Sequence, residues 1–148
     1  NPIAGNTASN PLFGLEGNVT INGLAGQDVI YGGLGNDKLI GGVGPDRFVF
    51  NTAPHTVNNR DTITDFNVSD DNIWLENGVY TALGANGLLS ASAFHIGTAA
   101  HDANDRIIYN SATGALFYDS NGSAAGGSVQ FATVSKGLAM TNADFLII

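Results

Sequence analysis

The chain has no cysteine, few charges and almost no bases. Without cysteine it has neither disulfides nor a thiolate metal site. Five Lys and Arg against thirteen Asp and Glu in 148 residues leave a formal net charge of −8. Nothing here could neutralise a run of phosphates, so nucleic acid is excluded as a partner. No apolar run is long enough to cross a bilayer as a helix. Catalytic signatures are absent too. His55, His95 and His101 form no H-E-x-x-H, and neither G-x-S-x-G nor G-x-G-x-x-G occurs. The three histidines read as loop or surface residues. No N-terminal signal peptide is visible and the chain begins at Asn1, so it reads as a piece of a longer protein.

What is abundant is glycine, with 20 residues, and much of it is periodic. Gly5, Gly14, Gly23, Gly32 and Gly41 stand nine apart, as do Leu12, Ile21, Ile30, Leu39 and Phe48. A third register runs Asn10, Val19, Asp28, Asp37, Asp46. Glycine permits a tight turn with positive φ. The short stretch after each aspartate reads as a strand with its central side chain on one face. Turn, strand, turn, strand then makes one coil of two units. Asp28 is expected to lie against Asp46 on one side of the coil and Asp37 on the other, with neighbouring coils about 4.8 Å apart. Two carboxylates about 5 Å apart repel by roughly 3 kcal/mol at an effective dielectric near 20. One apolar residue per strand is a thin core to set against that. A hard divalent cation between coils turns repulsion into attraction. Calcium, with six to eight oxygen ligands in flexible geometry, suits such turns better than octahedral magnesium.

Beyond Phe50 the period stops. "NTAPHTVNNR" reads as a polar loop, and "DTITDF" and "DNIWLE" as strands. "SASAFHIG" reads as a short helix capped by Ser90. Arg106–Ser120 reads as a hairpin turning at "SATG", and "SVQFATV" as a further strand. Residues 51–148 are expected to form an antiparallel sheet that caps the open edge of a roll spanning residues 1–50. Trp74, Phe117, Phe131 and Phe145 are the expected core of that cap. "DSNG", Asp119–Gly122, lacks the remaining ligands of an EF-hand and reads as a turn.

"GGLGNDKLI" and "GGVGPDRFV" fit G-G-x-G-x-D-x-U-x, where U is a large apolar residue, and "GLAGQDVIY" misses only the second glycine. These residues resemble the RTX family of secreted calcium-binding proteins. "DTITDF" followed by "DNIWL", and the terminal "DFLII", are similar to the C-terminal domains of its serralysin-type members. The resemblance implies an all-β fold, a right-handed parallel β-roll with an antiparallel cap. It implies Ca2+ as the bound ion. Leu24, Gly26 and Asp28 would share one ion with Gly41, Val43 and Asp46. Gly32, Leu34 and Asp37 would face Leu15 and Gly17, although Val19 stands where an aspartate belongs. Gly33, Gly35 and Asp37 would hold a further ion closed by Asp61, with Pro54 where the family often has an acid. The resemblance also implies a secreted or cell-surface protein of a Gram-negative bacterium. Export would pass through a type I secretion channel that reads Asp144, Phe145, Leu146, Ile147 and Ile148. The expected role is therefore a non-catalytic C-terminal module of a larger protein, for instance a secreted metalloprotease or lipase. The alternative is the C-terminal module of a calcium-dependent adhesin or S-layer protein.

Overall fold

The computed structural model describes the whole chain, residues 1–148. Eight short strands follow one another: β1 (Pro2–Ala4), β2 (Pro11–Phe13), β3 (Thr20–Asn22), β4 (Val29–Tyr31), β5 (Lys38–Ile40), β6 (Arg47–Phe50), β7 (Asp61–Ile63) and β8 (Asn72–Leu75). Odd strands pair only with odd strands and even with even, always in parallel. The chain thus winds between two sheets, and the coil-to-coil register is set by residues eighteen apart, such as Ile21 on Leu39 and Ile30 on Phe48. Three residues suffice for each strand because only the central one must point inward. Ile21, Ile30, Leu39, Phe48, Ile63 and Ile73 are all essentially inaccessible to solvent.

The winding does not stop at Phe50. β7 and β8, expected to belong to an antiparallel cap, pair in parallel with β5 and β6 and complete a further coil. Each keeps the local pattern of the repeats, an aspartate two residues before the inward side chain: Asp61 before Ile63, Asp71 before Ile73. The loop 51–60 only breaks the spacing.

The remaining strands are β9 (Gly87–Leu88), β10 (Phe94–Ile96), β11 (Ile107–Asn110), β12 (Ala115–Asp119), β13 (Ser128–Thr133) and β14 (Phe145–Ile147). β11, β12 and β13 form the expected antiparallel meander. It is not a separate cap, because β13 joins β7 in parallel and β14 joins β8 in parallel. The first sheet therefore runs β1-β3-β5-β7-β13-β12-β11-β10, and the second β2-β4-β6-β8-β14-β9. The expected helix at 90–97 is only a 3-10 turn, Ala91–Ala93, and Ser90 makes no side-chain cap; β10 takes the rest.

One core of 23 buried apolar residues runs from Leu12 to Ile147 across both halves. Phe50 meets Phe131 edge to face with centroids 5.2 Å apart, and Phe131 meets Tyr80 at 5.7 Å. Phe131 and Phe145 lie inside as expected. Trp74 and Phe117 do not: both are half-buried, because their inward-facing neighbours are Ile73 and Leu75, and Leu116 and Tyr118. Trp74 instead lies under the Arg47 guanidinium, 5.3 Å from the ring centre.

Candidate metal centre

β4, β5 and β6 are each entered through a six-residue turn whose second and fourth residues have positive φ: Leu24 (77°) and Gly26 (132°), Gly33 (94°) and Gly35 (137°), Gly42 (99°) and Gly44 (123°). At the fourth position glycine is also required by packing, since a Cβ on Gly44 would collide with the Gly26 carbonyl of the coil below. Leucines take the second position at Leu15 (71°) and Leu24, with their side chains out in solvent. Left-handed backbone costs an L-residue roughly 1–2 kcal/mol.

The aspartates that close these turns form two ladders. On one side, Asp71 Oδ1 accepts from the Asp46 N–H (2.9 Å), Asp46 Oδ1 from Asp28 (2.9 Å), and Asp28 Oδ1 from Asn10 (2.8 Å). On the other, Asp61 Oδ1 accepts from the Asp37 N–H (3.0 Å), and Asp37 Oδ1 from Val19 (2.9 Å). The expected placement, Asp28 against Asp46 with Asp37 opposite, is thus what the fold builds. Every buried polar or charged residue of the molecule is an aspartate, and no lysine or arginine pairs with any of them. Second oxygens are left over: Oδ2 of Asp28, Asp37 and Asp46 is buried with no hydrogen-bond partner.

Burying a carboxylate without a counter-charge favours its neutral form. Burial pushes Asp61 up to about 8, with the Asp37 charge adding to the shift. It pushes Asp46 up to about 6, with Asp71, Asp28 and Asp65 adding repulsion. Asp37 and Asp71 are raised for the same main reason.

The turns meet as the spacing predicts. Val43 N–H donates to the Leu24 carbonyl and Gly26 N–H to the Val43 carbonyl, both at 2.9 Å, which sets Leu24, Gly26 and Asp28 beside Gly41, Val43 and Asp46. Leu34 N–H donates to the Leu15 carbonyl (2.8 Å), and Gly35 packs on the Gly17 carbonyl, so Gly32, Leu34 and Asp37 face that turn. There Val19 is buried in the apolar core, so this pair of turns has only one buried carboxylate, Asp37. Gly33, Gly35 and Asp37 lie under Asp61 and the loop 51–60: the Thr52 hydroxyl donates to the Gly33 carbonyl (2.9 Å) and Asn59 Oδ1 accepts from Gly35 N–H (2.8 Å). Thr52 and Asn59, not Pro54, close this turn.

Two acidic residues went unread in the sequence. Asp65 accepts from the N–H groups of Gly41 (3.0 Å) and Gly42 (2.8 Å), and Asp71 tops the Asp28–Asp46 ladder. Asp71 was findable, because Asp71-Asn72-Ile73 repeats the Asp-x-apolar pattern of the roll. Asp65 carries no such signal. Asp119 is the last residue of β12 and leads into the turn read at 119–122, accepting from Asn121 N–H (3.1 Å). At the C-terminus, Asp144 and Thr141 form a capping box and Phe145 and Ile147 are buried beside β8.

The donor set in the turns is carboxylate and carbonyl oxygen only, with unpaired acceptors turned inward. That fits a hard cation such as calcium and gives a soft metal nothing to prefer.

Residues 4–39 and 13–48 match the family model of the RTX calcium-binding nonapeptide repeat. No curated protein sequence matches the chain. Among solved structures, the chain is similar to the R3 subunit of the Azotobacter vinelandii mannuronan C5-epimerase AlgE6, with 24% identity and a TM-score of 0.51 over 95% of this chain and 79% of that one. It is likewise similar to the R2 subunit, with 21% identity and a TM-score of 0.53 over 99% and 92%. These likenesses concern the fold, which is shared over 95% and 99% of this chain. With the repeat match, the ladder of aspartates and the oxygen-lined turns taken together, the part of the roll within residues 4–48 is built of nonapeptide repeats of the RTX calcium-binding type.

Proposed function

We propose that this chain is a non-catalytic module that folds on meeting calcium outside the cell and serves as the C-terminal, exported part of a larger protein. The observation that carries the reading is the set of buried, unpaired oxygens on Asp28, Asp37 and Asp46. Asp28 and Asp46 would hold one ion with the carbonyls of Leu24, Gly26, Gly41 and Val43. Asp37 and Asp61 would hold another with those of Gly33 and Gly35. Asp37 with the carbonyls of Gly32, Leu34, Leu15 and Gly17 would form a poorer site, because Val19 brings no charge. When bound, calcium supplies the positive charge that no Lys or Arg brings to the buried carboxylates. Affinities of roughly 10⁻⁴ to 10⁻³ M, typical of extracellular modules, keep such sites empty inside a cell.

The terminal Asp144–Ile148 segment is proposed as the signal read by a type I channel. Phe145 and Ile147 are buried in the folded chain, so a channel meets them only before folding, which agrees with folding after export. A fold seen in subunits of a larger epimerase suits a module attached to an upstream enzyme such as a protease or lipase. One observation favours the second reading, a module of a surface adhesin or S-layer protein. The turns carry exposed apolar side chains, Leu15, Leu24, Leu34 and Val43, which suits lateral contact with another surface.

Titrating the whole chain with calcium and with magnesium, followed by circular dichroism, tests the core of the proposal. Calcium is expected to order the roll at a concentration at which magnesium does not; equal folding by both would sink it. Secretion of a chain lacking 144–148 tests the export signal, and undiminished export would remove that part.

A further inference from the structure

The edge of the first sheet farthest from β1 carries a cluster of a different chemistry. β10 is the edge strand and pairs in parallel with β11, so the chain must return through the loop 97–106. This loop and the two strands it joins bring together His95 on β10, His101 in the loop and Asp105 just before β11. One ligand atom from each lies within 4.8 Å of the others. The two imidazoles lie nearly parallel, with centroids 5.4 Å apart and planes inclined at 19°. Asp105 is buried, and its Oδ2 accepts from the N–H groups of His101 (2.6 Å) and Asp102 (3.0 Å), which fixes the loop around the carboxylate. The neighbouring base does not neutralise it. Arg106 Nη1 instead donates to the carbonyls of Ala103 and Asp105, each at 2.9 Å. Gly97 leaves the space beside His95 Nε2 open, where a Cβ would come to 2.7 Å.

Two imidazoles and a carboxylate differ from everything in the roll, whose donors are oxygen alone. Nitrogen ligands of this kind suit zinc and its neighbours, and calcium gains nothing from them. We propose that His95, His101 and Asp105 form a site for a transition-metal dication of the zinc class, which clips the loop 97–106 to the edge strand and is distinct from the calcium turns. Ligand atoms around a tetrahedral zinc with bonds of about 2.0–2.1 Å stand about 3.3 Å apart, so the cluster must close slightly. His101, with a side chain 73% exposed, is free to make that movement. The Asp102 carboxylate, 3.8 Å from His101 Nδ1, is placed to orient that ring from behind. Three protein ligands leave a fourth position for water.

The test is calorimetric titration of the untagged whole chain with zinc chloride in saturating calcium, beside the His101→Ala and His95→Ala variants. One zinc per chain is expected in the wild type. Losing a direct ligand is expected to weaken binding by about 100-fold or more, at least the upper end of what outer partners contribute. Calcium titration of His101→Ala should match the wild type, because that side chain is exposed and outside the core. If His95→Ala misfolds, His101→Ala alone decides. The proposal is overturned if the wild type takes up no zinc, if zinc binds His101→Ala as tightly as the wild type, or if added calcium displaces the zinc, which would place it in the carboxylate turns.

Discussion

The roll and the closing strands solve the same problem, burial, with opposite means. Between Gly23 and Asp46 each strand contributes one inward side chain, and each turn buries a carboxylate oxygen without a partner. From Tyr80 to β14 the interior is rich in aromatic contacts, with Phe94 on Phe145 at 5.5 Å and Tyr80 against Tyr118 at 5.0 Å. The buried carboxylates there are served: Asp105 by two N–H groups, Asp119 by one, and Asp144 by Thr141 N–H at 2.7 Å. The first region leaves acceptor oxygens unpaired; the second pairs its buried carboxylates with N–H groups and is held by packing. A single core joins them, so the packed half holds the last coil in place.

The largest test of that difference is Phe131→Ala. Phe131 is buried against Phe50 and Tyr80, and losing it should cost about 3–5 kcal/mol. Urea unfolding in saturating calcium should show that loss, and an unchanged midpoint would mean that Phe131 does not tie the two halves together. A smaller effect is expected from pH, with opposite sign without and with calcium. In calcium-free protein Asp61 binds its proton up to about pH 8 and Asp46 up to about 6, against an unfolded value near 4. The native state therefore holds more protons than the unfolded chain in that window, and stability falls as pH rises from about 4 towards 8. With calcium present the same protons compete with the ion, so calcium affinity should fall on acidification. Thermal melts at several pH values, with and without chelator, check both signs. The smallest effect is expected from Leu24→Gly, which relieves positive φ at an exposed leucine. It should stabilise the calcium-loaded roll by up to about 1 kcal/mol, since the added flexibility of glycine offsets part of the gain. An unchanged or lower melting temperature would show that the left-handed turn is held by more than its backbone preference.

Much of the roll is written locally. Positive φ needs glycine, a three-residue strand needs one inward apolar side chain, and both needs recur every nine residues. Hence Ile21, Ile30, Leu39 and Phe48, and the opposed placement of Asp28 and Asp46 against Asp37, could be read before any coordinates. Asp61 followed from the family resemblance, and Asp71 could have followed from the Asp-x-apolar pattern it shares with the repeats. The parallel docking of β7 and β8 could not be read with the nine-residue rule, because the loop 51–60 interrupts the count while the pairing partners stay the same. Nor could the half-buried Trp74 and Phe117, because an alternating strand does not say which of its two faces will be covered.

The turn, the period and the oxygen chemistry are local, since each depends on residues within one or two units of each other. Long-range packing sets β13 beside β7 and β14 beside β8, carries Asp65 to the turn of Gly41 and Gly42, and brings His95, His101 and Asp105 together. Strand pairing answers to surface left uncovered elsewhere in the molecule, and side chains that meet through a returning loop share no period along the chain.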